Sequence, residues 1–309
     1  MTVLAKVDWI EGTIKSKSNE DAFRVLAKII PSWESLERGG MGYEHSAIFA
    51  GGGRLWWSTK RLDMGVHVSF PSKAISALGL DGLELVRRLR ESGLFETRVD
   101  FALDDTHDNL LDLDTIEQAI ESREFVSRFK DVELHKSFLQ GGRTYYFGSR
   151  KSGGDSLIRI YDKAIETNTV GHWVRVELQL RRERAQAAVT EILAAVDSVC
   201  EKICAWLLGY LDFKQASDTD SNKSRWQTAT WWTKFLRYVK KARLVTPHIV
   251  HTLDDVIRWL EMQVAMSLAV VKISLGEKEI ADLISRGLAR LKSKHLAMIP
   301  PGKLAELGA

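Results

Sequence analysis

A tyrosine flanked by two cations is the segment of this sequence best suited to covalent chemistry. Residues 158–163 read Ile-Arg-Ile-Tyr-Asp-Lys, an alternation typical of a β-strand with one polar face. Because successive side chains on a strand point to opposite faces, Arg159, Tyr161 and Lys163 share one face. A phenol, with a pKa of about 10, becomes a nucleophile when its proton is removed or its oxyanion is stabilised. The two cations could stabilise that oxyanion, although a structural tyrosine beside a surface ion network is the alternative.

Acidic side chains occupy one face of two further predicted strands. The polar-face residues are Asp100 and Asp104 on the strand at 98–105, and Arg175, Glu177 and Gln179 on the strand at 173–180. Carboxylate oxygens are the hard ligands that Mg²⁺ and Mn²⁺ prefer. If the three strands pair, one sheet face carries the groups for metal-assisted attack of a tyrosine on a phosphodiester. Pairing of the acids with Arg98, Arg159 or Arg175 would satisfy them without a metal, and both interpretations remain open.

The order of elements predicts an α+β fold. An antiparallel-rich sheet with interspersed helices occupies the first two thirds, and helical periodicity dominates after Arg181. A polar break at 216–222 suggests a boundary, so we expect a catalytic domain over 1–215 and a small all-α domain over 216–309. The triple glycine at 51–53 lacks the Lys-Ser/Thr ending of a phosphate-binding loop and predicts a hairpin turn.

Composition points to a globular protein of the cytoplasm. Of the 309 residues, 45% are hydrophobic and 28% are charged, which suffices for a large core without suggesting disorder. There is no signal-like N-terminal segment and no apolar run of about 18 residues, so no association with a membrane is expected. The two cysteines, Cys200 and Cys204, exclude a disulfide framework and are best explained as packed thiols in a reducing compartment.

The net charge of +3 does not indicate a nucleic-acid partner, but one segment does. Residues 221–245 carry seven Lys or Arg and no acidic residue, with aromatic residues interleaved. Such a mixture can bind phosphates and stack bases. An ordinary helix with its aromatic residues in the core and its cations in solvent is the alternative.

Taken together, the motifs resemble those of the rolling-circle replication initiation factors of plasmids, filamentous phages and some integrative elements. The similarity spans most of the chain. The segments that carry it are 98–105, 145–152 (Tyr-Tyr-Phe-Gly-Ser-Arg-Lys-Ser), 158–163, 173–178, 231–236 (Trp-Trp-Thr-Lys-Phe-Leu) and 257–261 (Ile-Arg-Trp-Leu-Glu).

The resemblance implies a metal-dependent enzyme that nicks and rejoins one strand of origin DNA. In that family the tyrosine of the Arg-Ile-Tyr motif forms a 5′-phosphotyrosine link and leaves a free 3′-OH, which maps the nucleophile onto Tyr161. The metal, Mg²⁺ or Mn²⁺, maps onto Asp100 and Glu177, with Asp104 as a further candidate. Phosphate stabilisation would fall to Lys163, Arg159 and Arg175.

Other residues compete for, or add to, these roles. Tyr145 and Tyr146 are rival nucleophiles, and His135 could act as a base, whereas no His–hydrophobe–His metal motif is present. The residues expected to bind DNA are Arg143, Arg150, Lys151, Trp231, Trp232, Lys234 and Arg237. The expected partners are double-stranded origin DNA, single-stranded DNA, a second copy in a homodimer, and a host helicase and polymerase. A conjugative or mobilisation relaxase with the same chemistry, and a noncatalytic origin-binding regulator, are the alternatives.

Overall fold

A long antiparallel sheet forms the framework of the protein. The computed structural model describes residues 4–137, 141–149, 154–195, 198–242, 244, 253–296, 298–299 and 303. In this part of the chain, ten strands pair in the order β2-β3-β4-β5-β1-β6-β11-β10-β9-β8, and β12 pairs with β7 separately. The strands are β1 Leu4–Ile14, β2 Trp33–Leu36, β3 His45–Phe49, β4 Gly53–Trp57, β5 Val66–Pro71, β6 Leu94–Asp105, β7 Phe125–Ser127, β8 Val132–Lys136, β9 Arg143–Phe147, β10 Ser156–Asp162, β11 Val174–Arg181 and β12 Leu211–Phe213.

Helices cover one face of this sheet. Those of the first part of the chain are α1 Asn19–Leu26, α2 Ser72–Ala77, α3 Gly82–Glu91, α4 Leu113–Glu121, α5 Lys163–Thr167, α6 Glu183–Ala194, α7 Val199–Tyr210 and α8 Thr230–Phe235. Side-chain caps fix several helix starts: Ser18, Asp81, Asp112 and Asp162 each accept a backbone N–H of the first turn. The predicted α+β class with a large antiparallel sheet is confirmed.

Alternation along the central strands sorts apolar from polar side chains. On β11, Val176 and Leu178 lie in the core beneath the helices, as do Phe101 and Leu103 of β6. Their neighbours Arg175, Glu177 and Asp100 point to the opposite face, as the sequence predicted. At the other end of the sheet, β3 and β4 pair across the glycine turn, where Gly51 and Gly52 have φ of 70° and 80°. The hairpin prediction is therefore confirmed.

A β-bulge in β1 changes which side chains reach the polar face. The register shifts between Val7 and Trp9, so that Val7 lies opposite Phe101 and Trp9 lies opposite Asp100. Val7 is in the core, whereas the extra residue, Asp8, is directed to the polar face. A bulge of this kind re-aims one carboxylate toward the centre of the sheet.

The chain divides into two compact units, Met1–Thr246 and Pro247–Ala309, rather than at residue 215. The reason for the later boundary is packing. Trp232 and Phe235 of α8 are fully buried, and Trp232 packs its ring against Phe213 of β12 at 5.2 Å between centroids. Residues 216–246 thus belong to the first unit.

The second unit is helical, as predicted for the C-terminal region. Its elements are α9 Leu253–Trp259, a π-helical segment Leu260–Val264, α10 Ala265–Leu275, α11 Glu277–Leu288 and α12 Ser293–Leu296. Helices α10 and α11 pack against each other across Gly276, which has a φ of 86°. In the described residues of the whole chain, no helix is long and apolar enough to cross a membrane.

Candidate active site

The polar face of the three central strands gathers most of the predicted chemical groups. Strand β11 lies between β6 and β10, and its register places Arg175 opposite both Tyr161 and Asp104. Glu177 lies opposite Arg159 on β10. The sheet pairing therefore brings together side chains that are far apart in sequence, such as Asp100 and Gln179, which lie opposite each other and 79 positions apart.

Tyr161 and Glu177 form the central contact of this face. The Tyr161 hydroxyl donates a hydrogen bond of 2.5 Å to Oε1 of Glu177, and the tyrosine is only 7% exposed. Burial and the negative charge of Glu177 raise the pKa of Tyr161, so the phenol is protonated in this arrangement. Burial also raises the pKa of Glu177, although Arg159 opposes that effect. A carboxylate made more basic by burial is well placed to accept the phenol proton.

Two cations lie beside Tyr161, as the sequence predicted. Arg159 forms an ion pair with Glu177, and its guanidinium carbon lies 5.8 Å from the centroid of the Tyr161 ring. The Lys163 ammonium lies 5.5 Å from the same centroid and forms an ion pair with Glu166. Lys163 begins helix α5 rather than continuing the strand, because Asp162 caps that helix.

Arg175, opposite Tyr161 in the sheet, lies in a buried network with Asp104 and Asp8, and its Nη1 is 3.9 Å from Oε1 of Glu177. Its Nε and Nη2 donate to Asp104 at 2.6 and 2.8 Å, and its Nη1 donates to Oδ1 of Asp8 at 2.8 Å. Burial would raise the pKa of Asp104, but the hydrogen bonds and charge of Arg175 outweigh it and lower that pKa. Arg175 is 1% exposed. Arg175 thus holds two carboxylates, and its predicted contact with a phosphate stays a prediction.

A second buried ion pair joins Arg98 to Asp100. Arg98 donates to Asp100 through Nε at 2.8 Å and Nη2 at 2.6 Å, and Gln179 lies against the same carboxylate. Burial raises the pKa of Asp100 despite the charge of Arg98. The guanidinium of Arg98 also stacks over Trp9, 4.5 Å from the ring centroid.

The predicted metal ligands share one face, but each is paired with a guanidinium. Asp100 bonds Arg98, Asp104 bonds Arg175, and Glu177 bonds Arg159. Within the described part of the chain, no group of three or more His, Cys, Asp or Glu side chains is arranged to hold a metal ion. The oxygen donors suit Mg²⁺ or Mn²⁺ in type, and a cation would have to exchange with one or more of these guanidinium groups.

Asp8 is the site residue that sequence analysis missed. Plain alternation along β1 gives no reason to single it out, because the bulge that aims it at Arg175 depends on pairing with β6. The nearest sequence signal is the charged pair Lys6 and Asp8 at alternate positions. Lys6 does reach the same cluster, with its Nζ 3.6 Å from Asp104 and 3.8 Å from Asp8.

The rival nucleophiles lie on opposite faces of β9. Tyr145 is buried in the core, and its hydroxyl donates to Glu117 at 2.8 Å. Tyr146 lies opposite Arg159 on the polar face, so it is near the site but displaced along β10 from Tyr161. His135 contacts the ring of Tyr146 at 5.2 Å between centroids.

The residues predicted to bind DNA divide into three groups. Trp232 is wholly in the core and Trp231 packs on Phe213, so the ordinary core explanation holds for these two aromatic residues. Lys234 and Arg237 are exposed, and Arg237 forms an ion pair with Glu201 at 3.1 Å. Arg143 is engaged by Asp114 and Glu117 at 2.7 and 2.6 Å, while Arg150 and Lys151 lie outside the described residues.

Comparison with known proteins places this fold in one class. The model of the replication initiation factor family matches residues 96–285, which include most of β6 and all of β10 and β11. The chain belongs to this family.

Two known proteins are similar to this chain over most of its length. The Bacillus subtilis (strain 168) protein described as "Putative DNA relaxase NicK" is 28% identical over 228 residues, covering 68% of this chain. This chain spans 62% of the length of that relative. The solved rolling circle replication initiator protein from Geobacillus stearothermophilus superposes with a TM-score of 0.67 at 27% identity, covering 79% of this chain and 99% of that one.

Proposed function

We propose that this protein initiates rolling-circle DNA replication by nicking one strand of an origin and later rejoining it through Tyr161. The observation that carries the proposal is the 2.5 Å hydrogen bond from the Tyr161 hydroxyl to Glu177, with Arg159 and Lys163 beside the ring. The printed descriptions of the two relatives, a DNA relaxase and a rolling circle initiator, support DNA as the substrate.

The proposed step is a transesterification. The phenolic oxygen of Tyr161 attacks the scissile phosphorus while its proton passes to Glu177. The bond from phosphorus to the 3′ oxygen breaks, and that oxygen takes a proton from solvent to become a free 3′-OH. The 5′ phosphate stays esterified to Tyr161, so the reverse attack by a 3′-OH reseals the strand without ATP. Arg159 and Lys163 offset the charge that develops on the phosphate.

The divalent cation is part of the proposal as well. Asp100 and Glu177 would hold Mg²⁺ or Mn²⁺ after Arg98 and Arg159 turn toward the DNA phosphates. When bound, the cation would polarise the phosphate oxygens and offset developing charge. Asp104 remains a further candidate; as in Asp100, both of its carboxylate oxygens are engaged by a guanidinium.

Binding of Mn²⁺ can be tested without measuring activity. Electron paramagnetic resonance of titrated Mn²⁺ should show one protein-bound ion in the wild type, with affinity lowered about tenfold or more in Asp100→Asn. Asp63→Asn, which changes an exposed carboxylate paired with Arg61, is the matched control. Equal Mn²⁺ binding by Asp100→Asn and the wild type would remove Asp100 from the ligand set.

Partners beyond DNA are also proposed. The C-terminal unit exposes large apolar side chains, among them Met266, Val270 and Ile273 at 78%, 64% and 86% exposure. Exposed apolar surface of this extent supports contact with another protein. We favour a second copy of this chain, which light scattering of the purified protein would test. A host helicase and polymerase would act on the nicked strand.

Two biological roles, replication initiation and DNA transfer by a relaxase, would use this chemistry. The description of the Geobacillus stearothermophilus protein favours replication, whereas that of the Bacillus subtilis relative names a DNA relaxase. A conjugative or mobilisation relaxase is therefore the alternative role. A noncatalytic origin-binding regulator would form no covalent adduct. Incubation with a labelled single-stranded oligonucleotide library and Mn²⁺, followed by a denaturing gel and sequencing of the attached DNA, should reveal an adduct and its target. Absence of any adduct with Mg²⁺ or Mn²⁺ would contradict the nicking proposal.

A further inference from the structure

A cavity of about 260 Å³ opens on the polar face beside the Tyr161 site. Its walls come from four strands and the turn after β9. The residues that shape it most are Arg98, Tyr146, Leu157, Arg159, Gln179 and Arg181.

The cavity is displaced from Tyr161 along strand β10. Leu157 and Arg159 line it, and Arg159 lies two positions before Tyr161 on the same face. At a rise of about 3.4 Å per residue, two positions correspond to roughly 7 Å. A ligand in this cavity would therefore sit next to, and not on, the attacking oxygen.

The charge of the cavity favours an anion. Three guanidinium groups line it, and none of the described residues in its lining is acidic. Arg98 and Arg159 are already paired with Asp100 and Glu177. Arg181, at the end of β11, makes no side-chain hydrogen bond or ion pair with the described residues. An arginine of this kind matches a phosphate group well.

An aromatic wall completes the cavity. Tyr146 lies opposite Arg159 in the sheet and presents its ring on the same face. Aromatic rings beside a cationic groove are the usual means of holding an unpaired base, because every base has a face that can stack.

A second cavity, of about 280 Å³, has Tyr161 in its wall and a mixed charge. Asp162 and Glu166 line it together with Lys136 and Arg143. Because Tyr161 is in its wall, this second cavity is where the scissile phosphate would reach the attacking oxygen, and the arginine-lined cavity is available for a neighbouring nucleotide.

We propose that the arginine-lined cavity binds the nucleotide adjacent to the scissile phosphate, with Arg181 contacting that nucleotide's phosphate and Tyr146 stacking on its base. This inference rests on the proposed function for its substrate, single-stranded DNA. It assigns Arg181 and Tyr146 to substrate binding, a role that sequence analysis did not give either of them.

The test measures binding separately from nicking. Fluorescence anisotropy of a short labelled oligothymidylate would be measured with the full chain, with Arg181→Gln, and with Arg88→Gln as the control. Arg88 lies on α3, which packs against β1 and β6, and removing it changes the net charge equally. We expect Arg181→Gln to weaken binding about tenfold, and Arg88→Gln about twofold or less.

An oligonucleotide with an uncharged backbone tests whether Arg181 contacts a phosphate. With an oligomer carrying uncharged methylphosphonate linkages, Arg181→Gln should bind as the wild type does, because the phosphate charge it would recognise is missing. Arg181→Lys should restore part of the affinity, and Tyr146→Ala should lose about fivefold or more while Tyr146→Phe binds normally. Thermal melts matched to the wild type would show that the variants are folded.

The outcomes separate this inference from the proposed function. Equal affinities for Arg181→Gln and Arg88→Gln on the phosphodiester oligomer would overturn the binding site, even if the wild type forms the covalent adduct. If the wild type forms no adduct but the arginine and backbone effects appear together, the cavity stands as a single-strand binding site and the nicking proposal fails.

Discussion

The hydroxyl of Tyr161 and the carboxylate of Glu177 lie 2.5 Å apart on neighbouring strands, both screened from solvent. This contact pairs a phenol whose pKa is raised with a carboxylate whose pKa is also raised, in each case chiefly by burial. Removing the phenol proton is therefore difficult in the resting state, and the cations beside the ring, Arg159 and Lys163, would favour it by stabilising the phenolate.

Tyr161→Phe should abolish the covalent adduct and the nicking of supercoiled DNA while leaving DNA binding within about twofold of the wild type. The change removes one oxygen and preserves the ring that lies between Arg159 and Lys163. Denaturing gels measure the adduct, and anisotropy measures binding. Tyr145→Phe is the matched control, because that ring is in the core and should retain the adduct. Adduct formation by Tyr161→Phe at the wild-type rate would reject Tyr161 as the nucleophile.

The rate of adduct formation should rise with pH through the raised pKa of Glu177. Only the ionised carboxylate can accept the phenol proton, and burial moves its pKa above the ordinary value of about 4.3. Arg159 favours the ionised form of Glu177. In Arg159→Gln, the rise of the rate with pH (the acidic limb of the pH profile) should therefore occur at still higher pH. Initial rates across a pH series give the position of the limb, and Arg88→Gln should leave it in place. A limb that moves to lower pH in Arg159→Gln would contradict this assignment.

Asp104→Asn should destabilise the fold by about 3–5 kcal/mol, because it leaves the buried charge of Arg175 without its bidentate partner. The stability that Asp104 contributes is fully present above its unfolded pKa of about 3.9. Since the folded-state pKa is lowered, that contribution is lost as the pH falls through the folded value. Urea unfolding at neutral and acidic pH measures both effects.

The control for this prediction is Asp63→Asn, which breaks an exposed pair with Arg61 and should cost less than about 1 kcal/mol. Equal losses of stability in the two variants would show that the Arg175 network contributes no more than a surface ion pair.

Trp232→Ala should lower the free energy of unfolding by about 3–5 kcal/mol, because it empties a fully buried site between Phe213 and Phe235. Lys234→Gln, on the exposed side of the same helix, should leave stability within about 0.5 kcal/mol and reduce DNA affinity modestly. Urea unfolding and anisotropy distinguish the two effects. A loss of DNA affinity in Trp232→Ala without loss of stability would restore the stacking role predicted from sequence.

The sequence by itself determined which side chains share a face. Period-two alternation placed Arg159 and Tyr161 together on β10, and Arg175 and Glu177 together on β11, because the side-chain period of a strand is set by local geometry. The antiparallel α+β class, the glycine hairpin at 51–53 and the helical C-terminal region followed from equally local signals.

Only the tertiary structure decided how those faces meet. The order β6-β11-β10 sets which strand lies between the other two, and the register then pairs Glu177 with Arg159 and Arg175 with Asp104. The bulge that directs Asp8 to Arg175, and the burial that removes Trp232 from any DNA surface, depend on partners far along the chain. Residue types and spacing fix what a segment can do, whereas long-range pairing and burial fix the partner and pKa of each charged group.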